Sequence, residues 1–146
     1  MELQQQEIKY KKIVKEILLV ENCTVQVKTL CRFLWFLEYQ IEIATDAKTA
    51  IQLIQNKPYA LIITNLGLSD NSDELVVQEI RKSELNQLTP LIVCTNNLDS
   101  KKAEKCKELR AQEILIKPID IETLKNSIEK CLINKESDVC IDRELV

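Results

Sequence analysis

The chain contains no histidine, and this absence removes several kinds of function at once. Imidazole is the usual acid, base and metal ligand near neutral pH. We therefore expect no histidine-dependent acid–base or phosphocarrier role and no structural zinc site. A serine-based triad is not expected either.

Glycine is almost missing, since Gly67 is the only one in 146 residues. The glycine loops that cradle phosphates, GxGxxG and GxxxxGK[ST], need several glycines close together. Neither pattern is present, which argues against a nucleotide or flavin site.

The six cysteines form no CxxC pair. They are scattered over positions of helix and strand character: Cys23, Cys31, Cys94, Cys106, Cys131 and Cys140. Reduced thiols of a cytoplasmic protein are the expected state.

Long apolar runs and a strong charge of one sign are also absent. The apolar runs have strand length, and the first residues, MELQQQEIKYKK, include no apolar signal-peptide core. The formal net charge is only -3. We therefore expect a cytoplasmic protein that contacts neither membrane nor nucleic acid.

What is present is a regular alternation of strand and helix patterns. Strands are predicted at 17–20, 41–44, 61–63, 91–94 and 114–116, and helices at 24–38, 46–55, 73–83, 100–109 and 120–132. Asp46, Asp73, Ser100 and Asp120 are the predicted N-caps. Five βα units predict an α/β fold with an open parallel sheet covered by helices on both sides. The second strand alternates most and is expected at an edge.

Two segments lie outside this repeat. Residues 1–14, with Leu3, Ile8 and Ile13, are predicted to form an N-terminal helix. Residues 134–146 form a polar, acidic tail, and residues 15–133 form the domain between them. Either extension is interpreted as a solvated appendage or a docking element.

Polar residues stand where the strands end, in the segments ILLVENC, IITNLGLSD, LIVCTNN and LIKPID. These endings, in this order, resemble the receiver domains of response regulators and hybrid histidine kinases over about residues 15–133. The resemblance implies a flavodoxin-like (βα)5 three-layer sandwich with strand order 2-1-3-4-5. It places the acid pair of the family on Glu21 and Asn22, the phosphoacceptor on Asn65, the switch hydroxyl on Thr95 and the lysine on Lys117.

Several of these positions depart from the family pattern. Asn65 offers a neutral amide, which cannot become an acyl phosphate as a carboxylate can. With Asn22 also an amide, Glu21 is the one carboxylate left, so Mg²⁺ binding is expected to be weak or absent. Lys117 is then free to pair with Glu21 or to hydrogen-bond Asn65. We expect no catalytic residue and no cofactor.

The switching elements of the family also differ in this sequence. Asn96 follows the switch hydroxyl where the family has a small residue, and Ile114 replaces the aromatic switch in the fifth strand. Positions at which receivers commonly have glycine hold Glu38, Ala47, Asp73 and Arg110. Those turns must use ordinary residues or another geometry.

The first helix carries more aromatic residues than one sheet can cover. Phe33, Trp35 and Phe36 accompany the core leucines, although the apolar stripe of a helix is only about 100° wide. These rings are covered by the N-terminal helix or form a partner or homodimer contact. A second candidate surface is basic and holds Lys101, Lys102, Lys105, Lys107 and Arg110. It is interpreted first as a solvated helix face and, as the alternative, as a charged dimer interface of the kind that the resemblance implies.

Three functions remain open from the sequence. The first is a phosphorylation-independent module that binds a histidine kinase, a phosphotransfer protein or another response regulator. The second is a receiver phosphorylated at another carboxylate, Asp70 or Asp73. The third is a small-molecule site in the pocket that the missing acids leave.

Overall fold

The computed structural model describes residues 16–65 and 72–144, without the side chains of residues 72, 73 and 133–144. Its strands are β1 Glu16–Val20, β2 Gln40–Ala44, β3 Leu61–Asn65, β4 Leu91–Thr95 and β5 Glu113–Ile116. Its helices are α1 Thr24–Phe36, α2 Ala47–Asn56, α3 Ser72–Lys82, α4 Ser100–Glu108 and α5 Ile121–Glu144. The predicted strand and helix order is confirmed.

All five strands are parallel, as the sequence pattern predicted, and they lie in the order β2-β1-β3-β4-β5 that the family resemblance implied. The alternating strand β2 is at an edge, also as predicted. Because the strands are parallel, residues that follow them meet at one side of the sheet, here called the carboxyl edge. The opposite side, where the strands begin, is called the amino edge.

Alternate residues of each strand supply two separate cores. Leu18 and Val20 of β1 belong to a cluster with residues of α2, α3 and α4. Ile17 and Leu19 belong to a second cluster with residues of α1 and α5. The sheet is therefore the middle of three layers, and its interior strands read as continuous apolar runs because both faces are covered.

Carboxylates begin three of the helices. Asp46 accepts a hydrogen bond from the Thr49 amide (2.7 Å), and Asp120 accepts one from the Thr123 amide (2.7 Å), which confirms both predicted caps. Ser100 was the wrong choice for α4, because the carboxylate of Asp99 caps that helix by accepting from the Lys102 amide. Asp73 was also wrong, since α3 already begins at Ser72.

Two helices end without glycine, and both ends use the left-handed region. Glu38 has φ 68° and Arg110 has φ 59°. After Glu38, the Tyr39 amide donates to the Leu34 carbonyl, and the Ala111 amide after Arg110 donates to the Cys106 carbonyl. This is the Schellman arrangement, in which glycine is usual. Two of the four glycine-less turns are thus built with ordinary residues at positive φ, whereas Ala47 and Asp73 lie within helices.

The last helix is longer than predicted. The apolar pattern stops near Leu132, but the backbone stays helical to Glu144. Residues 133–144 contain no glycine or proline and several good helix formers, so nothing in the sequence ends the helix there. The helix predicted within residues 1–14 lies outside the described residues.

Two polar side chains, those of Asn86 and Arg81, hydrogen-bond the backbone of the loops at the amino edge. Asn86 is fully buried; its amide donates to the Ile54 and Lys57 carbonyls, and its oxygen accepts from the Tyr59 amide and the Thr89 hydroxyl.

Arg81 donates to four carbonyls, those of Gln87, Thr89, Leu109 and Arg110. Burial, together with the charge of Arg110, lowers the pKa of Arg81.

Within residues 16–65 and 72–144, no helix is long and apolar enough to cross a membrane.

Candidate functional site

Lys117 lies at the centre of the polar group at the carboxyl edge. Its Nζ is 2.5 Å from Oε1 of Glu21 and 3.0 Å from Oδ1 of Asn65. The side chains of Lys117 and Glu21 are only 5% and 1% exposed. Lys117 thus makes both contacts that the sequence suggested, and it makes them together in a site shielded from water.

The backbone holds these residues where their strands end. Glu21 directly follows β1, and its amide donates to the Ala44 carbonyl at the end of β2 (3.0 Å). Asn65 is the last residue of β3 and lies between β1 and β4. Lys117 follows β5, and its amide donates to the Thr95 carbonyl (2.8 Å). Its long side chain therefore reaches across the end of β4 to join β1, β3 and β5.

The second oxygen of Glu21 is also engaged. Oε2 accepts a hydrogen bond from the backbone amide of Asn22 at 3.0 Å, while the Asn22 side chain is exposed. Both oxygens of the buried carboxylate therefore have donors. Among the described residues, no buried side-chain oxygen or nitrogen is without a partner.

Thr95 is buried and turned toward its own loop. Its hydroxyl donates to the Asn97 carbonyl at 3.1 Å and accepts from the Asn97 amide at 3.3 Å. Lys102 also donates to the Asn97 carbonyl, at 3.0 Å, and Asn96 is exposed beside this turn. Asn97 was not among the predicted site residues, although a threonine hydroxyl often hydrogen-bonds the backbone two residues further on in such a turn.

Cys94 lies on β4 beside Asn65 and was not predicted as part of the site. Cys94 pairs in register with Asn65 and is 1% exposed. Burial raises its pKa to about 12, against a smaller lowering effect of the nearby Lys117. Because the thiolate is the reactive form, Cys94 is an inert core residue at neutral pH.

The proposed switch position lies apart from this polar group. Ile114, in β5, is half-buried and packs against the cluster formed with α2, α3 and α4. The next residue on the same side of β5, Ile116, is 55% exposed.

The oxygen donors that the described residues bring to the site do not fit a divalent cation. Mg²⁺ usually needs one or two carboxylates that are free to bind it. Here Glu21 binds Lys117 and the Asn22 amide, and the oxygen of Asn65 also binds Lys117. Among the described residues, no group of three carboxylate or cysteine side chains is placed to hold a metal. Asp70 lies outside the described residues, as does the side chain of Asp73.

The three aromatic residues of α1 have different surroundings. Phe33 is half-buried against the core between the sheet and α5. Trp35 and Phe36 are 76% and 71% exposed. The prediction that one sheet cannot cover all three rings is thus confirmed for the described part of the chain.

Comparison with known proteins gives a consistent assignment. The family model "Response regulator receiver domain" matches residues 17–129. The response regulator ArlR of Staphylococcus saprophyticus is 29% identical over 104 residues, which are 71% of this chain and 46% of ArlR. The sensor histidine kinase TmoS of Ectopseudomonas mendocina is 25% identical, over 74% of this chain and 11% of TmoS. The chain thus spans less than half of the length of these curated relatives.

Solved structures agree with the family model. The signal receiver domain of an HD domain-containing protein from Pseudomonas fluorescens Pf-5 is 27% identical, with a TM-score of 0.75 over 84% of this chain and 98% of that one. A CheY-like receiver domain protein from Methanospirillum hungatei JF-1 has a TM-score of 0.78 at 22% identity, over 86% of this chain and 98% of that one, a likeness of fold. The chain belongs to the response regulator receiver domain family of two-component signalling.

Proposed function

We propose that this domain is a pseudo-receiver, a phosphorylation-independent module that binds a protein partner in a two-component system and catalyses no reaction. The observation that carries the proposal is the contact of Lys117 with both Glu21 and Asn65. A phosphoryl group would need that lysine and a carboxylate nucleophile. In this site the lysine is already bound, and the nucleophile position holds an amide.

The chemistry of Asn65 supports the same conclusion. Its side-chain nitrogen is delocalised into the amide, and its oxygen carries no charge with which to attack phosphorus. The described residues of the site also offer no donor set suited to Mg²⁺, which neutralises charge during phosphoryl transfer. The fold still presents helix surfaces for protein binding. The expected partners are a histidine kinase, a phosphotransfer protein or another response regulator in the cytoplasm.

Phosphorylation is tested with acetyl phosphate, Mg²⁺ and intact-mass measurement. The wild-type chain should gain no phosphoryl group. The double variant Asn22→Asp/Asn65→Asp should gain one, because it restores the acceptor and the second acid. Asn22→Asp alone is the matched control and should stay unmodified. Phosphate on the wild-type chain, at any residue, would contradict the proposal.

Binding is tested with a panel of purified histidine kinase and phosphotransfer domains. The wild-type chain should bind at least one member, and Asn65→Ala or added acetyl phosphate should leave the affinity unchanged. If the chain binds no kinase, no phosphotransfer domain, no response regulator and no copy of itself, the interaction role is wrong.

A further inference from the structure

Lys117, Glu21 and Asn65 bring together the three groups that an amide-exchange reaction needs, namely an amine, a base and an acyl group. Nζ of Lys117 is 2.5 Å from Oε1 of Glu21 and 3.0 Å from Oδ1 of Asn65. The side chains of the lysine and the glutamate are 5% and 1% exposed, whereas Asn65 is half-buried. The amine therefore contacts a carboxylate and a side-chain amide at the same time, away from bulk water.

This environment sets Lys117 apart from the other lysines. Lys57, Lys105 and Lys130 pair with carboxylates, and Lys102 donates to a backbone carbonyl. Among the described residues, only Lys117 has its amine in contact with a side-chain amide. An amine beside carboxylates alone meets no neutral acyl carbon that it could attack.

Glu21 is placed to act as the base. A lysine ammonium has no lone pair, so it must lose a proton before it can act as a nucleophile. A general base has to lie within hydrogen-bond reach of that proton, and Oε1 of Glu21 does. The transfer turns two buried charges into two neutral groups, and a site without water favours neutral groups more than solution does.

Asn65 supplies the acyl group. A carboxylate at this position would repel a nucleophile and hold the lysine in its charged form, whereas the amide is neutral. Its Cγ is no more than about 4.2 Å from Nζ of Lys117, because a C=O bond adds about 1.2 Å to the measured contact. Reacting atoms need to be about 3–3.5 Å apart, so a movement of about 1 Å in the flexible lysine chain is enough.

We propose that Lys117 and Asn65 of the folded chain join in an isopeptide bond, an amide between two side chains, with Glu21 as the base. Glu21 takes a proton from the Lys117 ammonium, which frees the lone pair on Nζ. Nζ then bonds to Cγ of Asn65, and the bond from Cγ to Nδ2 breaks. Glu21 gives its proton to Nδ2 and takes a second proton from Nζ, so that ammonia leaves and the glutamate ends as a carboxylic acid.

The reaction exchanges one amide for another and needs no further reactant. The half-buried position of Asn65 lets ammonia escape into solvent, and its dilution there makes the step irreversible. Each chain reacts once and only with itself, and the ion pair of Lys117 with Glu21 is the state from which the reaction starts. The new bond would join the end of β3 to the residue after β5, 52 positions along the chain.

The test is intact-mass measurement of the full wild-type chain, kept folded at neutral pH after purification. The mass should fall with time by that of one ammonia molecule. Trypsin does not cleave before proline, which follows both Lys57 and Lys117. The cross-linked chain should therefore yield one branched peptide that joins residues 49–81 to residues 111–125, with fragment ions that place the bond at Asn65.

Conservative variants separate the roles of the lysine and the base. Lys117→Arg keeps the positive charge but replaces the amine by a delocalised guanidinium, so it should lose no ammonia. Glu21→Gln keeps the shape but cannot take a proton, and the rate should fall at least about 100-fold. Lys130→Arg makes the same lysine change beside Glu113 on the surface and should react as the wild type does. Circular dichroism verifies that each variant is folded.

Several results would overturn the inference. A folded wild-type chain of constant mass forms no such bond. Loss of ammonia without the branched peptide would mean that an asparagine has closed on its own backbone instead. A wild-type rate in Lys117→Arg would remove the lysine from the reaction, and a wild-type rate in Glu21→Gln would remove the base. The branched peptide of the wild-type chain decides the question even where a variant does not fold.

The inference goes beyond the proposed function, because it concerns a bond within the chain and involves neither a partner nor phosphate. A chain that forms the bond and also takes phosphate at another carboxylate would contradict only the proposed function. A chain that binds a kinase, stays unphosphorylated and keeps its mass would contradict only the isopeptide bond.

Discussion

Lys117 and Glu21 form an ion pair between the end of β5 and the end of β1, with 2.5 Å between Nζ and Oε1 and almost no solvent contact. They are 96 residues apart in sequence. The strands β1 and β5 are not neighbours in the sheet. The ion pair therefore joins two parts of the carboxyl edge that no backbone hydrogen bond between these strands connects. The site is therefore held together by charge as well as by backbone hydrogen bonds.

Removing one partner of this pair should destabilise the fold strongly. In Lys117→Met the carboxylate of Glu21 stays buried without its cation, and the free energy of unfolding should fall by about 3–5 kcal/mol. The double variant Glu21→Gln/Lys117→Met leaves no buried charge and should recover most of that loss. Urea denaturation measures both.

The control for this prediction is an exposed pair. Lys130 lies 3.8 Å from Glu113 and is 72% exposed. Lys130→Met should change the unfolding free energy by less than about 1 kcal/mol. If Lys117→Met costs no more than Lys130→Met, the buried pair does not stabilise the site.

Asn86→Ala should be among the more damaging single changes outside the candidate site. The substitution removes four hydrogen bonds. The Ile54 carbonyl keeps the Ser83 hydroxyl and the Thr89 hydroxyl keeps the Tyr59 carbonyl, whereas the Lys57 carbonyl and the Tyr59 amide lose the side-chain partner that Asn86 provides. Unsatisfied buried groups are costly, and we expect a loss of about 3 kcal/mol in urea denaturation. Asn56→Ala removes one exposed hydrogen bond, to the Gln52 carbonyl, and should cost less than about 0.5 kcal/mol. Similar losses for the two variants would contradict the assigned role of Asn86.

Glu38→Gly should stabilise the domain. At φ 68° an L-residue is strained, whereas glycine adopts this conformation freely. We expect a gain of about 0.5–1 kcal/mol, measured by thermal or urea unfolding. Gln52→Gly, inside α2, should lose about 1 kcal/mol instead, since glycine is unfavourable in a helix interior. A loss with Glu38→Gly would argue against the left-handed helix end.

Two helix caps should contribute to the acid sensitivity of the fold. Hydrogen bonds from Thr49 hold the pKa of Asp46 below its usual value, and those from Thr123 do the same for Asp120. A carboxylate whose pKa is lower in the folded state stabilises the fold above the unfolded pKa of about 3.9, and this contribution is lost as the pH falls below that value. Asp46→Asn/Asp120→Asn keeps capping oxygens but cannot titrate.

The double variant should therefore unfold with a shallower dependence on pH below about pH 4, while its stability at pH 7 stays close to that of the wild-type chain. Chemical denaturation at a series of pH values measures this slope. An unchanged slope would mean that other carboxylates dominate acid unfolding.

The parallel strands and the meeting of their endings at one edge could be predicted from local sequence patterns, whereas the strand order and the choice of site residues came from the family resemblance. The apolar runs at 17–20, 61–63 and 91–94 are long enough only for strands, and parallel strands bring their endings to one edge. Glu21, Asn65 and Lys117 therefore had to lie near one another. Each contact of Lys117 was suggested as an alternative to the other; that it makes both at once could not be predicted, because side-chain reach depends on the exact separation of β1 and β5.

The wrong predictions concern helix ends and turns, where the sequence alone offers more than one possibility. Asp99 and Ser100 are adjacent and both can cap a helix, so only the backbone geometry decides between them. The end of α5 was missed because amphipathic periodicity reports contact with the core, and a helix continues beyond that contact where no residue stops it. Of the turns without glycine, only Glu38 and Arg110 needed a positive φ; the sequence could not separate them from Ala47 and Asp73.

The four carbonyls held by Arg81 have a mechanical consequence. One planar guanidinium on α3 bonds the segments that lead into β4 and into β5, a geometry that a lysine could not reproduce. A displacement of either loop relative to the end of α3 must therefore break hydrogen bonds of the same side chain. The approaches to two strands are thus coupled through one residue, at the side of the sheet farthest from Lys117.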